Sequence, residues 1–180
     1  MNKKEAGRIR KRTMEFLKKA HIAVTPEEAA SIEVADFGLS DIKNMGLELI
    51  VYENNERYCA KELVLFPRQT CPEHRHPHLN ERNPGKQETF RCRWGEVYLY
   101  TEGNPTEKPK AKLPKKYREK FTVWHEIVLR PGAQFTLPPN TLHWFQAGDR
   151  GAVVSEFSST NSDETDLWTD TNIKRIPVYD

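Results

Sequence analysis

Residues 121–139 read FTVWHEIVLRPGAQFTLPP and contain two short apolar runs separated by Pro131-Gly132. Both runs are rich in β-branched and aromatic residues, which favour β-strands. Proline and glycine favour a turn between the runs, and the PPN sequence at 138–140 ends the second one. The stretch therefore predicts two strands joined by a turn.

Runs of the same kind recur along the chain, at LELIVYE (47–53), RYCAKELVLF (57–66), EVYLYTEG (96–103) and GAVVSEFS (151–158). Turn residues separate them at short intervals, which favours antiparallel hairpins over βαβ units. We therefore predict an all-β sandwich or barrel. The charged, proline-containing stretch 102–120 is expected to form a long exposed excursion without a core of its own.

The N-terminal residues have a helical rather than a strand pattern. Apolar residues between Ile9 and Ile22 recur with a period of 3.6, and basic residues occupy much of the remaining surface. Thr25 as N-cap, Pro26 and Glu28 then predict a second, short helix. We expect a single domain over 1–180, with a helical extension (1–44), a β-barrel (45–170) and a C-terminal tail (171–180). The basic helix face could dock on an acidic surface or a membrane, but a solvated face is the interpretation we favour.

Composition argues against several classes of protein. The 28 Lys and Arg against 26 Asp and Glu give a net charge of +2, so the total charge suggests no nucleic-acid partner. No window approaches 18 consecutive apolar residues and no apolar segment follows the basic N-terminus, so neither membrane insertion nor secretion is expected. Three cysteines without a C-x-x-C pair fit a reducing cytoplasm better than a disulfide framework.

Three short elements offer metal-ligating side chains. His74 and His76 are two residues apart, so in a strand they point to the same face. Glu88 begins the next strand, and His143 follows the 138–140 turn. An H-x-H pair is common on its own, so the order and setting of the elements carry the interpretation. Three nitrogens and one oxygen would leave open positions on an octahedral divalent ion, as in a catalytic site.

This order resembles the two sequence motifs of the cupin family. H-x-H, then Glu88 ahead of Gly95, then Pro131-Gly132 and a proline-rich turn followed by histidine match the pattern. The resemblance implies a small antiparallel β-barrel of the jelly-roll type with one metal at its centre. The eleven residues between His76 and Glu88 exceed the common cupin spacing and predict an enlarged loop at the barrel mouth.

A narrower resemblance runs from about residue 45 to residue 170. The blocks RYCAKEL, QTCPEHRH, KQE, LPPNTLHWF and SEFSSTNSDETD are similar to those of bacterial D-lyxose isomerases, a cupin family of aldose-ketose isomerases. The family resemblance implies a manganese-dependent interconversion of D-lyxose with D-xylulose, and of D-mannose with D-fructose. It also implies a cytoplasmic protein that forms a homodimer and binds a small sugar as its substrate.

The same resemblance assigns roles to individual residues. The implied metal ligands are His74, His76, Glu88 and His143. Lys86 and Glu156 are the implied catalytic pair flanking the substrate. The residues matched to further, substrate-side blocks are Lys61, Asn161, Asp163 and Asp166.

The proposed chemistry needs such a pair. Moving a carbonyl between C1 and C2 requires removal of a proton next to the carbonyl, which an unaided exposed carboxylate does poorly. A divalent ion holding both sugar oxygens stabilises the cis-enediolate, and a carboxylate shuttles the proton. Glu156 is a strand carboxylate not used as a ligand, and Lys86 lies two residues before Glu88. Alternation in residues 153–158 does not by itself decide which face is inside.

Other functions fit parts of the pattern. An Fe(II) dioxygenase uses similar ligands, a non-catalytic sugar-binding cupin needs no acid-base pair, and a phosphosugar isomerase needs a cationic cluster. The arginines available for such a cluster do not alternate onto one face; they are Arg75, Arg82, Arg91 and Arg93. The aromatic residues interpreted as core are Trp94, Trp124, Trp144 and Phe90. Cys71 is interpreted as a small buried apolar residue rather than a nucleophile.

Overall fold

The computed structural model describes residues 1–179. It confirms both N-terminal helices, α1 (Lys3–Lys19) and α2 (Pro26–Ser31). The amide of Glu28 donates to the Thr25 hydroxyl oxygen and the Glu28 carboxylate accepts from the Thr25 amide, forming the capping box. Within residues 1–179, no helix has the length and apolar character needed to cross a membrane.

The rest of the chain is mainly β-structure. The strands are β1 (Glu33–Ala35), β2 (Leu47–Asn54), β3 (Cys59–Leu65), β4 (Thr70–Arg75), β5 (Glu88–Thr101), β6 (His125–Leu129), β7 (Gln134–Leu137), β8 (His143–Ser158) and β9 (Leu167–Trp168). Two 3₁₀ turns cover Lys115–Lys120 and Asp163–Thr165. All pairings between these strands are antiparallel, and the sheet order is β1-β2-β3-β8-β4-β9. Strand β5 pairs with β8, β6 and β7 and curls the sheet into a barrel.

The turn at Pro131-Gly132 does not form a hairpin. Strands β6 and β7 both pair antiparallel with β5 and not with each other. The Gly132 amide donates to the Cys92 carbonyl, and the Ala133 carbonyl accepts from the Cys92 amide. The residues between the strands therefore form a local excursion beside one long partner strand.

Strands β5 and β8 are longer than the sequence pattern predicts because both bend without ending. Their pairing shifts register at Cys92/Trp94 and at Gly95/Val97. Gly95 and Gly151 have φ of 79° and 87°, and a Cβ on Gly95 would lie 2.0 Å from the Gly151 oxygen. Glycine is therefore required where the two strands cross closely.

The hydrophobic core has an inner and an outer part. Inside the barrel, Leu63, Phe90, Phe145 and other apolar residues are fully buried. On the outer face, Phe16 and Leu17 of α1 pack against a second cluster that includes strand residues of β3 and β8. Helix α1 therefore covers the outside of the sheet.

The prediction that residues 102–120 lack a core is wrong. Tyr117 and the following Phe121 are buried in a cluster with Tyr100 and Trp144. The Glu73 carboxylate accepts hydrogen bonds from the amides of residues 122 and 123, at 2.6 and 3.0 Å. The charged residues that dominate this stretch in the sequence are mostly exposed, whereas its few apolar residues pack into or against this cluster.

The two ends of the chain also take part in the sheet region. The predicted helical extension contains β1, which pairs with β2. In the C-terminal tail, the Tyr179 hydroxyl accepts from the Val34 amide at 2.9 Å. Arg175 pairs with Glu33 and with Asp163. The tail therefore packs against the barrel edge.

Candidate metal centre

Three strand ends bring four side chains of the candidate site together. His74 lies near the end of β4 and His76 just after it, while Glu88 and His143 are the first residues of β5 and β8. All four side chains are buried. The ligand atoms of the three histidines lie within 4.8 Å of one another. The fold thus joins positions that are far apart in sequence.

Hydrogen bonds turn the same nitrogen of each imidazole towards the centre. Nδ1 of His74 lies 2.8 Å from the Pro72 carbonyl and Nδ1 of His143 lies 3.0 Å from the Thr141 carbonyl. A carbonyl oxygen can only accept, so these Nδ1 atoms carry the hydrogen and leave a lone pair on Nε2. Nδ1 of His76 lies 2.5 Å from the Asp166 carboxylate. Such outer partners are typical of metal-binding histidines.

The side-chain atoms that point towards the centre of this group lie close to one another. Glu88 Oε1 lies 2.9 Å from Nε2 of His143 and 3.3 Å from Nε2 of His76. None of these three atoms has a hydrogen-bond partner of good geometry within the described chain. They converge as ligands of one ion do, and a donor set of three imidazoles and one carboxylate suits a divalent transition metal. The residues present therefore fit the metal that the cupin resemblance implies.

Local charges reinforce this arrangement. Burial raises the pKa of Glu88, but Lys86, His76 and His143 outweigh it and hold that pKa well below its usual range. Burial, with His143 and His76 beside it, holds the pKa of His74 well below its usual range. Burial also lowers the pKa of His76, but Glu88 and Asp166 raise it to about 9. A proton and a metal thus compete for His76.

Lys86 and Glu156 form a buried ion pair beside the four candidate ligands. Lys86 Nζ lies 2.5 Å from Glu156 Oε1 and 2.7 Å from Glu88 Oε2. Glu156 pairs with Phe90 and with Lys61 in the sheet and is 4% exposed, so it faces the interior. Although burial opposes the charge of Lys86, the two carboxylates raise its pKa and keep it cationic. A cation therefore links a candidate ligand to a candidate base.

Of the four residues matched to the substrate side, Lys61, Asn161 and Asp163 lie together and Asp166 lies apart from them. Lys61 is buried, and its Nζ lies 3.8 Å from Asp163 Oδ1. Burial raises the pKa of Asp163, but Lys61 and Arg175 hold it below its usual value. Asp166 instead lies behind His76, with its side chain 4% exposed. That contact makes Asp166 the outer partner of a candidate ligand, and its expected contact with the sugar stays a prediction.

Two side chains at the site were not anticipated from the sequence. The Trp168 ring stacks on the His74 ring, with centroids 4.5 Å apart and planes 23° apart, and its other neighbour is Phe37 at 5.3 Å. Arg175 reaches the cavity from the C-terminal tail. Trp168 belongs to a two-residue strand and Arg175 to none, so neither had a periodic signal that placed it.

The cavity at the centre is small, with a volume of about 30 Å³. Its wall includes the candidate ligands, the Lys86–Glu156 pair, and apolar residues such as Phe90 and Cys71. Burial raises the pKa of Cys71 well above its usual value, which supports a wall rather than a nucleophile. Two larger clefts, of about 570 and 500 Å³, lie against α1 and contain none of the candidate ligands. The central cavity is therefore smaller than a typical ligand pocket of ~300–1,000 Å³.

Solved structures share this fold. An L-ribose isomerase from Cellulomonas parahominis superposes with a TM-score of 0.81 over 99% of this chain and 98% of that chain, at 14% identity. An L-ribose isomerase from Geodermatophilus obscurus superposes with a TM-score of 0.78 over 98% of each chain, at 15% identity. The antiparallel barrel with N-terminal helices is thus a cupin-type fold, as predicted.

Fold and site together define a cupin with a buried histidine and carboxylate centre. The D-lyxose isomerase family model matches residues 13–180. A D-lyxose/D-mannose isomerase from Thermosediminibacter oceani is 63% identical over 98% of this chain and 97% of its own length. A D-lyxose ketol-isomerase from Cohnella laeviribosi is 56% identical over 95% of this chain and 93% of its own length. The chain belongs to the D-lyxose isomerase family and is an isomerase.

Proposed function

We propose that this protein is a metal-dependent aldose-ketose isomerase that interconverts D-lyxose with D-xylulose and D-mannose with D-fructose. The carrying observation is the buried Lys86 cation between Glu88 and Glu156, because it places an acid-base pair directly beside a metal-type donor set. The names of the Thermosediminibacter and Cohnella relatives support D-lyxose, and the former supports D-mannose as well.

The proposed ligands are His74, His76, Glu88 and His143. A divalent ion held there, for which we propose Mn²⁺, would polarise the sugar carbonyl and stabilise negative charge on its oxygens. The carbonyl acceptors behind His74 and His143 keep their Nε2 atoms directed inward. Asp166 does the same for His76 and is proposed as a positioning residue.

Glu156 is the proposed base. Its carboxylate removes a proton from one of the two carbons C1 and C2 and returns it to the other on the same face, through a cis-enediol. Lys86 orients the carboxylate through its 2.5 Å contact and supplies positive charge near the sugar oxygens. Lys61 and Asp163 are proposed to contact sugar hydroxyl groups farther from the reacting carbons.

The site favours a free sugar over a phosphosugar. Two cations beside the site are already neutralised, since Lys61 and Arg175 contact Asp163, and Arg175 also pairs with Glu33. A phosphate would need cations without such partners. A dioxygenase or a non-catalytic sugar-binding cupin would not need the buried Lys86–Glu156 pair, which therefore favours an isomerase over both.

We further propose a single-domain cytoplasmic protein that forms a homodimer. Large side chains on the outer surface support a second copy as the partner: Tyr52, Tyr58 and Phe157 are 42%, 49% and 52% exposed. The free thiols of Cys59, Cys71 and Cys92 are buried, which is consistent with a reducing compartment.

Metal analysis combined with an aldose panel tests the proposed function. We expect the purified protein to contain or take up one Mn²⁺ per chain and to convert D-lyxose and D-mannose into ketoses. A protein that takes up metal but forms no ketose from any aldose would contradict an isomerase role at this site. Conversion only of phosphorylated sugars would contradict the free-sugar assignment.

A further inference from the structure

Buried polar atoms without hydrogen-bond partners concentrate at the site. Over residues 1–179 there are seven such side-chain atoms, and one of them is Oε2 of Glu48, on β2. The other six belong to His76, Glu88, His143, Glu156, Ser158 and Asn161. Of these, Glu156 Oε1 has Lys86 Nζ as its ion-pair partner at 2.5 Å. A buried polar atom without a partner is costly, so each of these atoms calls for an explanation. The metal and the acid-base step account for the first four and leave Ser158 Oγ and Asn161 Oδ1.

Ser158 lies one step beyond the catalytic pair on the same inner face. It is the last residue of β8 and follows Glu156 by two positions, so both side chains point into the barrel. In the sheet, Ser158 pairs with Glu88 of β5 and with Cys59 of β3. The next residue, Ser159, is exposed. The Ser158 side chain therefore shares the inner face of Glu156 and lies beside the first residue of β5, Glu88.

Asn161 is a fixed hydrogen-bond acceptor. Its amide donates to Asn54 Oδ1 at 3.0 Å, and its carbonyl accepts from Asn54 Nδ2 at 3.1 Å. Its side-chain Nδ2 donates to Asp163 Oδ1 at 2.7 Å, and Arg175 holds the other Asp163 oxygen at 2.5 Å. Because a carboxylate cannot donate, this contact fixes the amide orientation and leaves Oδ1 to accept.

We propose that Ser158 and Asn161 form the subsite for sugar hydroxyl groups on the carbons beyond C2. This proposal rests on the proposed isomerase function. The Ser158 hydroxyl can both donate and accept, and Asn161 Oδ1 requires a donor such as an O–H group. The nearby cations are paired with carboxylates, so the subsite matches a neutral polyhydroxyl chain rather than an anion. Both residues are specificity determinants that act on binding.

Two variants and one matched control test the subsite in the Mn²⁺-loaded enzyme. For Ser158→Ala and Asn161→Ala we expect the KM for D-lyxose to rise about 3- to 10-fold, as for one lost hydrogen bond, with kcat within about 2-fold. The Kd of D-arabinitol, the reduced and unreactive form of D-lyxose, should rise by the same factor. Ser159→Ala removes an exposed hydroxyl that accepts from the Gln87 amide, and it should change neither the KM for D-lyxose nor the Kd of D-arabinitol.

Thermal unfolding separates binding from a structural role. The Ser158 hydroxyl has no hydrogen-bond partner of good geometry and only a weak contact with the Cys59 thiol. After Ser158→Ala, the Tm without sugar should therefore stay the same or rise by a few degrees. A lowered Tm with KM and Kd unchanged would overturn the proposal in favour of a structural role. Unchanged KM and Kd at any Tm would overturn it too.

The polyol distinguishes this proposal from the proposed function. If the wild type binds D-arabinitol but forms no ketose, isomerisation is wrong, and a weaker polyol affinity in Ser158→Ala still supports the subsite. If the wild type isomerises D-lyxose and both variants retain its KM, the subsite alone is wrong. If the wild type neither binds the polyol nor isomerises, both are wrong.

Discussion

Asp166 Oδ1 lies 2.5 Å from Nδ1 of His76, so the carboxylate that the sequence places with the substrate supports a candidate metal ligand. Replacing Asp166 by Ala should therefore weaken Mn²⁺ binding about 10-fold or more, as is typical when the outer partner of a ligand is lost. Calorimetric titration of metal-free protein measures this. Asp163→Asn is the control, because Asp163 contacts Lys61 and Arg175 and not a ligand.

The control variant should retain the metal affinity of the wild type and raise the KM for the aldose. If Asp166→Ala binds Mn²⁺ as tightly as the wild type and changes only KM, the positioning role of Asp166 is wrong and its sequence-based assignment to the substrate is supported.

Removing the metal should abolish activity and leave the barrel folded. The inner and outer hydrophobic clusters bury most of the apolar side chains without using the candidate ligands, so one ion is not needed to hold the core. Chelated protein, shown by metal analysis to be metal-free, should retain its β-sheet circular dichroism and regain activity with Mn²⁺. Persistent isomerisation by metal-free protein would disprove the metal's role.

Replacing Glu156 by Gln keeps the size of the side chain but removes the base. We expect kcat to fall about 10²-fold or more while the metal content stays the same, because general-base catalysis contributes about this much. Glu164→Gln, at an exposed position in the nearby 3₁₀ turn, should keep the wild-type rate. Near-normal turnover in Glu156→Gln would require another base.

Glu48 makes stability depend on pH. It is fully buried on β2, Gln69 donates to its Oε1 at 3.0 Å, and burial raises its pKa to about 8. The folded state therefore holds a proton that the unfolded chain, with a pKa near 4.5, has released. This contribution to stability is complete below pH 4.5 and is lost as the pH rises to about 8.

Glu48→Gln keeps a neutral side chain at every pH. Its Tm should therefore exceed that of the wild type by at least about 2–4 °C at pH 9, with a smaller difference near pH 5. Thermal melts across this pH range measure the effect, with the exposed Glu15→Gln as control. An equal Tm of Glu48→Gln and wild type at pH 9 would mean that Glu48 ionises in the fold without cost.

Local sequence patterns predict some parts of this site and not others. The two-residue spacing of His74 and His76 and the turn before His143 locate these candidate ligands, because strand periodicity acts over a few residues. Alternation around Glu156 does not show which face of the strand is inside, since either side of a short strand can be buried. The burial of Glu156 and its contact with Lys86 decide the matter. Trp168 reaches the site through contacts between distant segments, which no local pattern encodes.

In the fold, too, local sequence patterns predict some features, whereas others depend on contacts between distant residues. Strand-forming residues predict an antiparallel β-barrel, and Thr25 and Glu28 predict the start of α2. The continuity of β5 and β8 depends on Gly95 fitting against Gly151, a contact between residues far apart in sequence. For the same reason, Pro131-Gly132 looks like a hairpin turn until the long β5 partner is known.

Isomerisation in D₂O tests the proton-transfer role of Glu156 most directly. A carboxylate base exchanges its proton with solvent in at least a fraction of turnovers, whereas a hydrogen that migrates as hydride never meets water. We predict deuterium at C1 or C2 in the ketose and in recovered aldose, and loss of both turnover and exchange in Glu156→Gln. Product without deuterium after many turnovers, together with a Glu156→Gln variant that keeps most of its rate, would contradict proton transfer by Glu156.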